Sequence, residues 1–299
     1  MLYPLSYEGG RPPRPGFGPA RSGTLTSIQG DGAYYALGMA AAAQVPTART
    51  TFLPDTAATR HYIGAWAVLS VVQYFVAETA VIGAWAGPGP YSRRTGLISD
   101  LGAVTCGIYS GRSICSPLHV LMNSSFVVQG LGMLLGALLL SSALLRVAAR
   151  AGVRVAASHS KEVPWYTAVA ARILTGTAGT GTIIVGLVPE DLESGWHYAG
   201  AVMYFIAGSL ALLLLGALWL RQSPLGWFVL ASGGVSAAAL VTAAVTGLDV
   251  PEPGTLERLM GYPITIGLAA AGLVIAQRVR QERQVREAYA RAQAARGNA

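Results

Sequence analysis

A chain of 299 residues that is 53% apolar and only 12% charged, with a mean hydropathy of +0.47, cannot cover a water-facing surface, so a soluble globular fold is excluded and a polytopic membrane protein is implied. The net charge of +7 and pI of about 9.6 would also suit a nucleic-acid binder. The Lys and Arg sit beside the apolar runs, however, where membrane topology accounts for them, and nucleic acid is not an expected partner.

The first stretch, 1–60, begins "MLYPLSYEGGRPPRPGFGPARSGTLTSIQG" and is rich in Gly, Pro, Ser and Arg. It lacks the charged, apolar and cleavage regions of a signal peptide and reads as a disordered cytoplasmic N-terminal arm. Its run "AYYALGMAAAAQV" is too short to span. Spanning needs about 20 mostly apolar residues at about 1.5 Å rise each. Six stretches meet that within a domain of 61–277: 63–86, 118–145, 166–188, 198–220, 227–247 and 258–276. The fold class is therefore an all-α integral membrane six-helix bundle. The remaining 278–299, "RVRQERQVREAYARAQAARGNA", reads as a basic cytoplasmic C-terminal tail, a solvated helix with Glu/Arg spacing along its faces.

Cytoplasmic flanks hold the excess of Lys and Arg. The connection after the second span carries Arg146, Arg150, Arg154 and Lys161, and the tail carries Arg278, Arg280, Arg283, Arg286, Arg291 and Arg296. Both are expected inside, with both termini cytoplasmic, in a prokaryotic plasma membrane. The acidic connection bearing Glu190, Asp191 and Glu193 falls outside, while Arg93, Arg94 and Arg112 are exceptions that a long outer loop tolerates. Trp66, Trp165 and Trp227 mark the inner interface; Trp85 and Trp196 mark the outer one.

That outer loop, "ISDLGAVTCGIYSGRSICSPLHVLMNSSF", ends in a helix start, with Ser116 as N-cap and Pro117 at the first helical position. His119 and Asn123 then follow one turn apart. Cys106 and Cys115, the only cysteines, lie together outside, where a disulfide is expected and two buried free thiols are the alternative. Glu78 lies in the first span roughly two turns below Trp85, on the order of 12 Å by helical rise. A carboxylate at such depth costs ~2.5 kcal/mol or more and must face a partner or water. Asn123, Thr180, Thr182, His197, Tyr204, Thr242, Thr246, Tyr262 and Thr265 reach the same outer layer, whereas inner halves such as "GMLLGALLLSSALL" are hydrocarbon. The Ser and Thr also have a plain structural reading, bonding their own backbone, and the small residues of "TGTAGTGTIIVG" one of close helix packing.

Three segments, "ISDLG", "CSPLHVLMNSSF" and "GLVPEDLESGWHYAGAVMYFIAG", resemble the prokaryotic membrane proteins grouped as domain-of-unknown-function family nine hundred and ninety-eight, a resemblance covering 63 to about 277. More distantly, "ISDLG" before one helix and H-x-x-GA opening another are similar to the eukaryotic FRAG/DRAM/SFK group of six-helix proteins, although here Leu101 and a cysteine-bearing loop follow the aspartate. The resemblance points to Ser99, Asp100, Gly102, Cys115, Pro117, Asn123, His197 and Gly200.

The expected site is an outward-facing polar pocket with Asp100 and His197 as the candidate catalytic pair, meeting at the outer rim, and Glu78, Ser99, His119, Asn123 and Tyr204 lining it. Asp100, His119, His197 and Glu78 are acid/base or ligand types, but there is no H-E-x-x-H, no G-x-S-x-G and no phosphate-cradling glycine loop. No metal or cofactor is expected. The expected function is binding or modification of an outer-leaflet lipid or isoprenoid head group, with membrane lipid as partner; a small-molecule transporter, or a noncatalytic scaffold with a membrane-protein partner, is the alternative.

Overall fold

The computed structural model describes residues 56–150, 165–192 and 194–297. The N-terminal arm, apart from its last five positions, therefore lies outside the described residues, as do Arg154 and Lys161. Six helical segments are long and apolar enough to cross a membrane. The first is α1 (Thr59–Leu69) continued by α2 (Gln73–Gly83), with a 3-10 turn at Ser70–Val72 between them. The next is α3 (His119–Leu139), followed by the short α4 (Ser142–Leu145). Then come α5 (Trp165–Leu187), α6 (Gly195–Trp219), α7 (Pro224–Thr246) and α8 (Pro253–Gly297).

Successive spans pack on one another, and α8 closes back on α1, so the six form a ring in chain order. Glycines set the closest approaches: a Cβ on Gly181 of α5 would stand 2.5 Å from the Gly200 carbonyl oxygen of α6. This is the packing expected of "TGTAGTGTIIVG". Thr180, Thr182, Thr242 and Thr246 each bond the carbonyl four residues back, which leaves them structural. One half of the ring is filled by Val68, Met133, Leu212 and Ile275, all at most 4% exposed.

The other end is covered by the loop between α2 and α3, and is called here the hairpin end. Two three-residue strands, β1 (Gly107–Tyr109) and β2 (Arg112–Ile114), pair antiparallel with Tyr109 opposite Arg112. Ser110 and Gly111 turn between them with φ of 47° and 77°, the positive-φ pair that matches hairpin twist. Cys106 and Cys115, flanking the hairpin, are joined by a disulfide. Among the described residues the hairpin is the one β element added to the all-α expectation.

Two local expectations change. Ser116 does not cap α3: its hydroxyl donates to the Leu101 carbonyl at 2.6 Å, the His119 N–H closes a turn onto the Ser116 carbonyl, and the helix starts at His119. The tail is helical as expected but is continuous with the last span, and its first turns are packed rather than solvated. Arg278, Val279 and Glu282 are buried, Arg278 pairs with Glu282 at 2.9 Å, and the Arg283 guanidinium lies 5.2 Å from the Tyr62 ring centre.

Candidate functional site

Three loop segments meet at the hairpin end through one guanidinium. The 3-10 turn at Ser99–Gly102 buries Asp100, whose carboxylate accepts the Leu97 N–H at 2.8 Å. Arg112 of β2 reaches Asp100 with Nε at 2.9 Å and with Nη2 at 2.8 Å. The same Nη2 contacts Glu190 at 3.1 Å, on the turn Glu190–Leu192 between α5 and α6. The neighbouring Asp191 accepts the N–H groups of Val104 and Thr105 and the Thr105 hydroxyl at 2.7 to 3.1 Å. Burial opposes ionisation of Asp191, but these hydrogen bonds outweigh it and hold its pKa below the usual value. Glu190 goes the other way: burial, then its hydrogen bond with Asp100 and the charge of that carboxylate, push it up to about 8.

Deeper in the same half lies a buried ion pair. Glu78 of α2 accepts from Arg258 of α8, Nη2 at 2.9 Å and Nε at 3.1 Å, and from the Tyr262 hydroxyl at 2.5 Å. Arg258 Nη1 donates to the carbonyls of Arg93, Gly96 and Gly254, and Nη2 to the Tyr91 hydroxyl. Gly254 permits this, because a Cβ there would collide with the Gly96 and Arg93 oxygens. Arg172 is not the partner of Glu78; it bonds Ala137 O and Ser142 Oγ near the opposite end.

Beside these two networks a cleft of about 700 Å³ opens among the hairpin-end portions of α6, α7 and α8. Its lining combines polar groups, among them Ser99, Arg112, Glu190, His197, Asp249 and Glu257, with apolar ones, among them Val202, Phe205, Leu240, Leu248 and Val250. Ser99, His197, Ala201, Phe205 and Glu257 also line a smaller cavity of about 50 Å³ further in. They form the neck between the two spaces. At the far end of the inner cavity Gln129 of α3 donates to Thr265 of α8 at 2.9 Å and to the Tyr204 hydroxyl of α6 at 3.2 Å, tying alternate spans across the ring.

Of the residues expected at the site, Ser99, His197 and Tyr204 share these walls. Asp100 lies behind the wall and orients Arg112. No hydrogen bond joins Asp100 to His197 among the described residues: His197 Nδ1 instead lies 2.7 Å from the Val188 carbonyl oxygen. Glu78 does not line the cavity, because Arg258 and Tyr262 enclose its carboxylate. His119 and Asn123 face a separate shallow groove beside α5, where His119 contacts Ser116 O and Asn123 donates to Gly102 O. Sequence reasoning passed over Gln129, Arg258, Glu257 and the pairing role of Arg112. A glutamine inside the second apolar run and an arginine just after the start of the sixth were the available signals.

These features define a six-span membrane protein with an amphipathic cleft at its disulfide-bearing end. Residues 68–274 match the family described as protein of unknown function DUF998, and the chain belongs to that family. No curated protein and no solved structure matches the chain.

The Glu190 carboxyl gives a pH prediction. Its folded pKa lies above its ordinary 4.5, so its contribution to stability is complete below that value and is lost as pH rises through about 8. Thermal unfolding in detergent should show stability falling by on the order of 2 kcal/mol between about pH 5 and about pH 9, and Glu190→Gln should flatten that fall. An unchanged slope in the variant contradicts the assignment.

Proposed function

We propose that the protein binds an outer-leaflet lipid or isoprenoid through its head group, in the cleft at the hairpin end. The observation that carries this reading is the combination of charged and hydrocarbon groups around one space of head-group size. A lipid needs both at once: polar groups for the head and an apolar path, along α6 and α7, for the chain. Val202, half exposed on that path, and Leu240 continue the apolar lining toward the hydrocarbon depth. Transport is less well supported, since the half of the ring beyond Gln129 is filled with packed apolar side chains.

The cleft faces outward in this reading, and both termini are cytoplasmic. Arg146, Arg150, Arg221, Arg280 and Arg283 all lie at the end opposite the hairpin. Three of the arginines at the hairpin end are built into pairs: Arg94 with Glu252, Arg112 with Asp100 and Glu190, and Arg258 with Glu78. They serve the fold there. A disulfide at that end agrees with an oxidising exterior.

Two measurements test this. Protein purified in mild detergent should retain one lipid class at roughly stoichiometric amount by mass spectrometry, and Val202→Trp or Ala243→Trp, which narrow the cleft, should reduce retention severalfold; recovery of bulk lipid alone, unaffected by either change, contradicts the reading. In intact cells an impermeant thiol reagent should label Gly195→Cys and not Gly297→Cys, both exposed positions with room for a side chain. Labelling at 297 with protection at 195 reverses the topology.

A further inference from the structure

The groups around the inner cavity are mostly hydrogen-bond acceptors. The Tyr204 and Thr265 hydroxyls both point their protons at the Gly261 carbonyl, at 3.1 and 3.3 Å, and Thr182 donates to Ala178 O at 2.9 Å. With those protons so directed, the Tyr204 and Thr265 oxygens receive the two Gln129 Nε2 protons, which fixes the amide's orientation. Gln129 is only 2% exposed, lines the cavity, and its Oε1 receives no hydrogen bond from the described residues. A buried carbonyl oxygen left without a donor costs about 1–3 kcal/mol, so the site favours something that supplies one.

The neck continues the pattern. His197 Nδ1 faces a carbonyl, which can only accept, so Nδ1 carries the hydrogen and the neutral ring presents Nε2 as a lone pair. Glu257 accepts the Ile98 and Ser99 N–H groups and, with up to about four lone-pair sites, keeps acceptor capacity toward the cavity. The Tyr74 hydroxyl has no partner and can accept as well. No Lys or Arg lines this cavity. The nearest guanidiniums are engaged elsewhere, Arg112 by Asp100 and Glu190 and Arg258 by Glu78.

An anion finds no cationic group here, and a sugar ring does not fit about 50 Å³, which is on the order of four water-sized positions. A compact cation with several N–H donors suits the open acceptors, Gln129 Oε1, His197 Nε2 and the Glu257 carboxylate. We propose that the inner cavity recognises a primary ammonium group, with Glu257 as counter-charge and Gln129 Oε1 and His197 Nε2 as hydrogen-bond acceptors. This rests on the lipid reading of the cleft, and it narrows that reading to amine-bearing head groups: the ammonium passes the neck while the rest of the head stays in the wide cleft. The ammonium can belong to an aminolipid or to a free amine.

The full chain reconstituted in nanodiscs of equal phosphatidylethanolamine, phosphatidylcholine and phosphatidylglycerol, then released for native mass spectrometry, separates these cases. Phosphatidylethanolamine should be retained about tenfold over phosphatidylcholine, which has the same phosphate but no N–H donor. Glu257→Gln should narrow that ratio to within about twofold. The wild-type preference decides the question even where the variant does not purify. Equal or greater retention of phosphatidylcholine or phosphatidylglycerol overturns the ammonium assignment and leaves the lipid reading standing. If no lipid is retained, the lipid reading fails, and thermal shift with ethanolamine against tetramethylammonium decides: stabilisation by ethanolamine alone upholds an ammonium site for a soluble amine, and no difference overturns it.

Discussion

The Arg258–Glu78 pair is the constraint on which the hairpin half of the protein depends. Neither charge is tolerable alone at that depth, since an unpaired ion in hydrocarbon costs several kcal/mol and a lone buried guanidinium leaves up to about five donors unmet. Together with Tyr262, Tyr91 and three backbone carbonyls every one of those donors is used. The pair therefore fixes three things at once: the packing of α8 against α2, the fold of the 91–96 segment over the start of α8, and the position of Glu257 one residue before Arg258.

The hairpin network builds on that frame. Arg112 holds Asp100 and Glu190 together, which brings the α5–α6 connection against the α2–α3 loop and leaves Ser99, His197 and Glu257 around the neck. The polar lining thus comes from loops and from the first turns of α6 and α8, while most of the apolar lining comes from the spans α6 and α7. An amphipathic cleft arises where the two meet. The polar groups of this half are largely paired or line open space, whereas the opposite half is mainly close-packed hydrocarbon that encloses a few buried polar side chains, His61, Ser142, Arg278 and Glu282.

Most of the architecture was legible in the sequence because bilayer thickness dictates span length. The second and third expected spans begin within a residue of α3 and α5, and the others start three to five residues late. Those shifts share a cause: first turns such as "GWH" and "PGTLE" are polar, so hydropathy misses them though the backbone is already helical. The same bias hid Arg258, which reads as the edge of a span and sits instead on its second turn. Its partner is 180 residues away, and no local pattern joins them. A concentration of polarity in one half was readable from depth, and the hairpin half holds Glu78, Asp100, Glu190 and Arg258, but the opposite half also buries His61, Arg278 and Glu282. Which residues face one another within the hairpin half was not readable: His119 and Asn123 share that depth with His197 but face a different groove, because helix rotation is set by packing and not by distance along the chain. Arg112 looked like an exception to the charge rule, and its pairing explains it.

A double-mutant cycle on Glu78→Met and Arg258→Met, read by reversible unfolding in detergent, tests the constraint directly. Each single change should destabilise by about 3–5 kcal/mol, because the partner's charge is left buried, while the double change should cost at least about 2 kcal/mol less than the sum. Additivity within about 0.5 kcal/mol would mean that the two charges act independently, and would contradict the account of how this half of the protein is held together.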